Sequence, residues 1–481
     1  MRINHNSMAL NASDHFAGIN NNIAKSMKRL SSGKKITSPA DDAAGLAIST
    51  KLNAQIKGLD RAALNSNDGI SVIRSAEGGL SEMHSILARM RELAVKAAND
   101  VEDELDRDAI QEEIDALAEE LTQISDTTAF NGQVLLNGNL TRRTLPDNGD
   151  FKTTYLSPDV PAGEYEIEVT APAEQAKQTL SIPAGPITAE QAGTITVNDF
   201  QVEISEGMTQ TDIYEALQTH LDKIGISVES NDGGATAVLK TEEYGSKQVI
   251  EIKIGNDELN SAMGGAGTID ADGKGVKTEG KDCEASITKS TGNPGDKGFS
   301  QTATFTTDGN KVTIVDKNGF EMTVEIAADK VQDPNDNGAK TGKTKIEVLT
   351  AGTMIIQTGA NSGEQVSVDI PSLDAKSLGV DKLVMYTHAY ASDAVDIIDQ
   401  AVKRVSDVRS KLGAYENRFN DVYDGLKVQS ESITEAYSRI MDTDMAEEMT
   451  NYTQQDVLSQ AAISMMQRSN ERPESILQLL Q

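Results

Sequence analysis

The side chains of this chain that could do chemistry are few and scattered. There are five histidines, His5, His15, His84, His220 and His388, with no pair at metal-ligand spacing and no HExxH. "SSGKKIT" (31–37) has some look of a phosphate loop, but it lacks the preceding glycine, and Lys35 stands where Ser or Thr would hold a metal. Asp41-Asp42 is a carboxylate pair at the start of a helical pattern, where capping backbone N–H groups is the expected work rather than acid–base chemistry. "DADGKG" (270–275) begins like a calcium loop and lacks the distal Glu. Cys283 is the only cysteine, so no internal disulfide forms; it reads as an incidental small side chain. Nothing assembles a nucleophile, a base and an orienting group. The expectation is no enzyme, no metal and no cofactor.

Other bounds come from composition. A length of 481 residues suggests about three domains. The apolar fraction is 38%, aromatics are 4% and Trp is absent, which argues against large cores of average make-up. A net charge of −31, from 75 acidic and 44 basic residues, argues against nucleic acid or anionic membrane as partner. No run of about 18 apolar residues occurs, so no membrane insertion is expected. "MRINHNSMALNASDHF" has no apolar h-region of a secretory signal.

The two ends read as helix and the middle as strand. In "LARMRELAVKAAND" (87–100), Leu87, Met90, Ala94 and Ala97 form one stripe, while Arg89 and Leu93 lie off it and are expected to face outward. The stripe continues a seam through Leu52, Ile56, Leu59, Ala63, Ile70, Ile73, Leu80 and Met83. A second helix, starting in an acidic run that suits its dipole, carries Ile110, Ile114, Leu117, Leu121 and Ile124. Far downstream, Ile398, Ala401, Val405, Val408, Leu412, Tyr415, Phe419, Val422 and Leu426 keep a 3-4 rhythm that resumes at Ile433, Ala436 and Ile440. Gly413 and Gly425 inside it cost about 1 kcal/mol each relative to Ala, so packing must support this helix. Narrow seams far apart in sequence are satisfied by packing on one another: the chain leaves a helical bundle and returns to it.

Between them, "FTTDGNKVTIVDKNGFEMTVEIA" (305–327) alternates apolar and polar residues around two turn signals. "GTITVNDFQVEIS" (193–205) predicts a hairpin, "TQTDIYEALQTHLDKI" (209–224) a short helix, and "GISVES" and "KQVIEIKIG" strands. Gly-rich 264–275 and polar 332–343 are plausible loops or boundaries. At the extremities, Phe16, Ile19, Ile23, Met27 and Leu30 form a heptad-like stripe, as do Met445, Met449, Tyr452, Leu458, Ala461 and Met465, followed by a tip of Ile476, Leu477, Leu479 and Leu480. Both segments are expected to take up structure only on meeting partners, and sticky helical ends that do not close into a ring generate filaments.

"RLSSGKKITSPADDAAGLAIS" (29–49), "MRELAVKAAND" (90–100) and "FNGQVLLNG" (130–138) resemble the N-terminal half of bacterial flagellin. "KLGAYENRF" (411–419), "SRIMDTDMAEEM" (438–449) and the closing "ILQLL" resemble its C-terminal half, and "GTMIIQTGANSGEQVSVDIPSLDAKSLGV" (352–380) the β segment before it. Met441 stands where Arg is common, and Gln481 ends the chain. The resemblance implies a mainly α fold at both ends, an elongated multi-domain subunit with a β-rich, partly α+β central region. It implies an innermost domain of 1–41 with 442–481, a helical-bundle domain of 42–172 with 348–441, and variable outer domains over 173–347.

Its bundle seam would include Leu87, Met90, Ile114, Leu117, Val405, Leu412, Phe419 and Val422; Phe16, Ile19, Ile23, Leu30, Met445, Met449, Leu458 and Met465 would serve polymerisation. The implied function is a secreted, extracellular subunit that polymerises into the flagellar filament for motility; the alternative is a hook–filament junction protein. The implied partners are other copies of the chain, a flagellin-specific export chaperone, the flagellar secretion apparatus and the filament cap. In flagellins that vertebrates detect, the fifth Toll-like receptor grips the monomer, and the resemblance maps its contacts onto Arg89, Leu93 and Glu113.

Overall fold

The computed structural model describes residues 6–99, 104–198, 200–230, 235–267, 275–290, 298–327, 342–349 and 351–479. His5, most of the calcium-like loop (270–274), most of the polar segment (332–341), Leu480 and Gln481 lie outside the described residues.

In chain order, helices α1 (Ser7–Ser32), α2 (Ala43–Ala97) and α3 (Glu104–Thr127) come first. Strands β1 (Ala129–Phe130), β2 (Gln133–Val134), β3 (Thr144–Pro146), β4 (Phe151–Leu156), β5 (Gly163–Ala171), β6 (Lys177–Ser181), β7 (Gly193–Val197) and β8 (Phe200–Ile204) follow. Helix α4 (Gln210–Leu221) leads to β9 (Ile226–Glu229), β10 (Thr236–Thr241) and β11 (Val249–Ile254), and α5 (Asp257–Ala262) to β12 (Val276–Glu279) and β13 (Glu284–Ile287). Then come β14 (Thr304–Asp308), β15 (Lys311–Val315), β16 (Glu321–Ile326), β17 (Gly342–Val348), β18 (Met354–Gln357) and β19 (Gln365–Val368). Helices α6 (Ala375–Leu378), α7 (His388–Met441) and α8 (Met445–Leu479) close the order. Helical ends around a β-rich middle are the architecture expected from the pattern.

The chain packs as two compact units. One comprises Met1–Gly69, Ile356–Val366 and Arg418–Gln481; the other comprises Ile70–Ile355 and Ser367–Asn417.

In the first unit, Asn6 caps α1 by accepting from the Ala9 N–H (3.1 Å), and Gly33 ends it in the left-handed conformation (φ 67°). Asp42 accepts from the Gly45 N–H (2.9 Å) at the start of α2, the capping role expected of the Asp41-Asp42 pair. Asp41 accepts instead from the backbone and hydroxyls of Thr37 and Ser38, which hold its carboxyl down at about 2, the Thr37 N–H contributing most. Leu59, Ala62 and Leu426 form a small buried cluster between α2 and α7, and Ser430 donates to Asp60 (2.8 Å) beside it. Two α2 glycines let neighbours approach: a Cβ at Gly58 would stand 2.9 Å from that of Ala360, and one at Gly69 3.3 Å from the Phe419 ring.

In the second unit, α2, α3 and the first part of α7 bury Leu80, Met83, Leu87, Met90, Ile114, Leu121, Val405 and Leu412. Each such burial contributes about 1.5–3 kcal/mol. Ion pairs stitch the antiparallel α2 and α7: Arg74–Glu416 (2.9 Å), Arg409–Glu77 (2.7 Å) and Arg91–Asp399 (2.6 Å). The β-rich part has two cores. Around the first lie the sheets β6-β10-β9 and β12-β11-β7-β8 with α4 and α5, through Leu180, Ile195, Val202, Leu217 and Ile252. Helix α4 opens on a capping box of Thr209 and Asp212. Around the second lie β13-β5-β17-β3 and β14-β15-β16-β4, through Phe151, Tyr165, Phe299, Ile314, Met322 and the buried Cys283. The predicted hairpins appear in register, with Asp308 opposite Lys311 and Val197 opposite Phe200.

Candidate functional site

Among the described residues no group of His, Cys, Asp and Glu could hold a metal ion, and no helix is long and apolar enough to cross a membrane. Two surfaces are candidates for meeting another molecule.

One is a groove on the second unit, between the end of α2 and the start of α3, lined by Arg89, Glu92, Leu93, Lys96, Ile110 and Glu113 among others. The guanidinium of Arg89 is held from both sides. Its Nε donates to Glu113 Oε1 (2.9 Å) and its Nη1 to Glu92 Oε2 (2.8 Å). The Glu92 and Glu113 carboxylates push Arg89 above its ordinary value, so it stays charged. Arg89 and Glu113 remain about half exposed, and the fork geometry keeps the guanidinium plane in one orientation. Leu93 corrects the sequence expectation. It does not look outward with Arg89: it is 4% exposed and helps form the groove. The α2 stripe buries one face against the bundle, and α3, bringing Ala109 and Ile110 alongside, covers the adjacent face where Leu93 sits.

The second surface is the terminal helix pair in the first unit. Both terminal segments, expected to order only with partners, are helices here and pack on each other antiparallel. Asn6 donates to the Ser469 carbonyl (2.9 Å), Arg29 pairs with Glu448 (3.7 Å), and the Lys35 N–H donates to the Met441 carbonyl (2.6 Å). Phe16, Ile19, Ile23 and Leu30 are half-buried along this contact. On α8 the stripe expected from Met445, Met449, Leu458 and Met465 stays exposed, Met465 at 70%. The face turned to α1 instead carries Tyr452, the one member of that stripe it shares, with Glu448, Ser459, Ala462 and Met466, which the sequence reading missed. Its signal was there, since these positions also step by three, four or seven, but small and polar residues made it the less conspicuous face. Met8, Leu10 and Met27 on α1 and Val457 and Ile463 on α8 are exposed as well.

The remaining expected seam residues are buried or half-buried. Leu87, Met90, Ile114, Val405 and Leu412 lie in the core of the second unit and Leu117 at its margin. Phe419 is fully buried in the first unit, with Val422 against the Leu59–Leu426 cluster.

Comparison with known proteins agrees with the helical ends. Residues 3–141 match the bacterial flagellin N-terminal helical region, and residues 395–480 match the bacterial flagellin C-terminal helical region. The chain is 30% identical over 480 residues to Flagellin D of Vibrio anguillarum, covering 100% of this chain and 99% of that one. It is 30% identical over 473 residues to a flagellin of Clostridium tyrobutyricum, covering 98% of this chain and 100% of that one. With 30% identity over alignments that span the chain, and both helical ends matched, the chain belongs to the bacterial flagellin family.

Proposed function

We propose that the chain is a structural subunit, not an enzyme, that polymerises through its two terminal helices into the bacterial flagellar filament, and that as a monomer it is a ligand of the vertebrate flagellin receptor. Family membership supports the filament subunit as such. The observation that carries the route of assembly is the outer face of the α1–α8 pair. Met8, Leu10, Met27, Met445, Met449, Val457, Leu458, Ile463 and Met465 stand exposed there, far more apolar surface than a solitary helix pair keeps in water. Copies of the same pair are the natural cover. In this reading 1–41 with 442–481 is the innermost assembly domain, 42–172 with 348–441 the helical bundle around it, and 173–347 the outward variable part. Before assembly the Met-rich face suits helix-in-groove capture by a flagellin-specific export chaperone. The secretion apparatus, filament cap and extracellular destination follow from the same family reading.

Removing residues 1–30 or 450–481 tests this. The expected product is a folded, soluble chain that no longer forms filaments in electron micrographs. Filaments from the truncated chain, under conditions where the intact chain makes them, would overturn the reading. For receptor binding, Arg89, Leu93 and Glu113 are the proposed contacts. Arg89→Ala should weaken binding to the receptor ectodomain in surface plasmon resonance by roughly tenfold or more, as a charge-assisted hydrogen bond is lost. Unchanged affinity would remove Arg89 from the site.

A further inference from the structure

Within the second unit, a cavity of ≈ 260 Å³ opens between the 137–144 segment, β4 and the 372–377 segment. Thr141, Thr153 and Thr154 line it; the Thr141 hydroxyl faces the buried Asp369 carboxylate, while the hydroxyl oxygens of Thr153 and Thr154 are buried with no hydrogen-bond partner. Such hydroxyls are nearly always satisfied in folded proteins, so two side by side on one wall point to an occupant with acceptors. The backbone explains their convergence. Along β4, Thr153 pairs with Val324 and Tyr155 with Thr323, which leaves Thr154 as the extra residue of a β-bulge. A regular pleat would send Thr153 and Thr154 to opposite faces; the bulge lets both line the cavity.

The charge of the lining separates an anion from plain water. Arg142, Lys152 and Lys376 line the cavity together with a single carboxylate, Asp374. Oδ1 of Asp374 already accepts from the Ser377 N–H (2.9 Å) and the Ser372 hydroxyl (3.3 Å). Arg142 donates to the Val160 carbonyl and stands 3.6 Å from the buried Asp369, which leaves other guanidinium N–H groups for a ligand. Lys152 and Lys376 are exposed, and Lys376 is paired with Glu325 (3.9 Å). Asp369 and Glu325 offset Arg142 and Lys376, so the pocket offers an anion the remaining Arg142 N–H groups, Lys152 and the two converging hydroxyl donors. Hydroxyl, guanidinium and ammonium groups approaching from different elements suit a small tetrahedral oxyanion.

We propose that this cavity binds an inorganic oxyanion of the phosphate or sulfate type, held by Thr153 and Thr154 with Arg142 and Lys152. The test is isothermal titration of the full chain as monomer with sodium phosphate and, in a separate arm, sodium sulfate, at ionic strength matched with sodium chloride. Saturable single-site heat in either arm is expected, and comparison of the arms names the anion. The double substitution Thr153→Val with Thr154→Val should weaken binding at least roughly tenfold, since hydrogen bonds to a charged group are lost. Lys152→Gln, on an exposed side chain that leaves the fold alone, should weaken it by a smaller factor. Absence of saturable heat up to about 10 mM of both anions overturns the proposal. So does equal affinity in the threonine double variant, or in Lys152→Gln if the double variant does not fold.

Discussion

Leu93 is the residue at which stability and recognition can be confused, and its truncation separates them. The side chain is 4% exposed, beside Ile110 at the groove between α2 and α3. Leu→Ala at fully buried sites costs about 3–5 kcal/mol, the upper values going with voids that stay open. Here the space left would lie against a groove of ≈ 340 Å³, so water can enter part of it and the cost falls to the low end. Leu93→Ala should therefore destabilise the helical part of the second unit by about 2–3 kcal/mol. Urea unfolding followed by far-ultraviolet circular dichroism reads this as a lower midpoint at an unchanged slope. Arg89→Ala, half exposed beside it, should leave the midpoint where it was, because surface ion pairs contribute little. Any loss of receptor affinity in Leu93→Ala must then be corrected for the unfolded fraction, whereas a loss in Arg89→Ala is read directly. An unchanged midpoint in Leu93→Ala would refute the reasoning: the side chain would have to be in water, as the stripe pattern alone suggests.

Gly58→Ala and Gly413→Ala should move stability in opposite directions. At Gly58 the new methyl meets Ala360, whose backbone cannot rotate away, so overpacking outweighs a helix-propensity gain and about 1 kcal/mol is lost. At Gly413 nothing lies within 4 Å of the new methyl, and about 0.5–1 kcal/mol is gained; equal signs in thermal unfolding would contradict the packing described. The Asp41 carboxyl should titrate near about 2 in a carbon-detected NMR experiment rather than at its ordinary 3.8. Because its value is lowered in the fold, its hold on the 37–41 turn is complete above 3.8 and fades as pH falls through about 2; an ordinary midpoint would mean that the turn is absent in solution. Burial pushes the Cys283 thiol up to about 11, so a disulfide reagent at pH 8 should react far more slowly with the folded chain than in urea.

Much of this was legible because the signals were long. A 3-4 rhythm from Ile398 to Ile440 has few alternatives to a helix, and it lies wholly within α7. The hairpins of 305–327 carried both alternation and turn residues, and their register followed. Where two faces of one helix compete, periodicity cannot choose. Leu93 lies off the stripe of Leu87 and Met90, yet α3 covers it, because a helix flanked by two others buries more than one stripe. On α8 the conspicuous stripe was the one assigned to polymerisation, while the pairing with α1 uses a second face with Ser459, Ala462 and Met466. The bulge at Thr154 was out of reach, since it depends on the partner strand supplying one residue fewer.

On its α8 side the terminal pair departs from the usual logic of a two-helix contact. A pair meant to stand alone in water puts its large apolar residues between the helices and its small and polar ones outside. Here α1 offers Phe16, Ile19, Ile23 and Leu30, but α8 meets them with Ser459 and Ala462 as well as Tyr452 and Met466, with Glu448 buried opposite Arg29, and leaves Met445, Met449, Leu458 and Met465 outside. Small residues on α8 let the two backbones approach closely but bury little apolar area themselves, so that side of the contact sets geometry more than it supplies free energy. The apolar area kept outside is free to supply that energy elsewhere, and flexible methionines adapt to neighbours of more than one shape. Such a division of labour suits a polymer in which each copy must be soluble before it is added and held tightly afterwards. The high negative charge acts in the same sense, opposing random association between copies while leaving the short-range apolar contact to decide where they join.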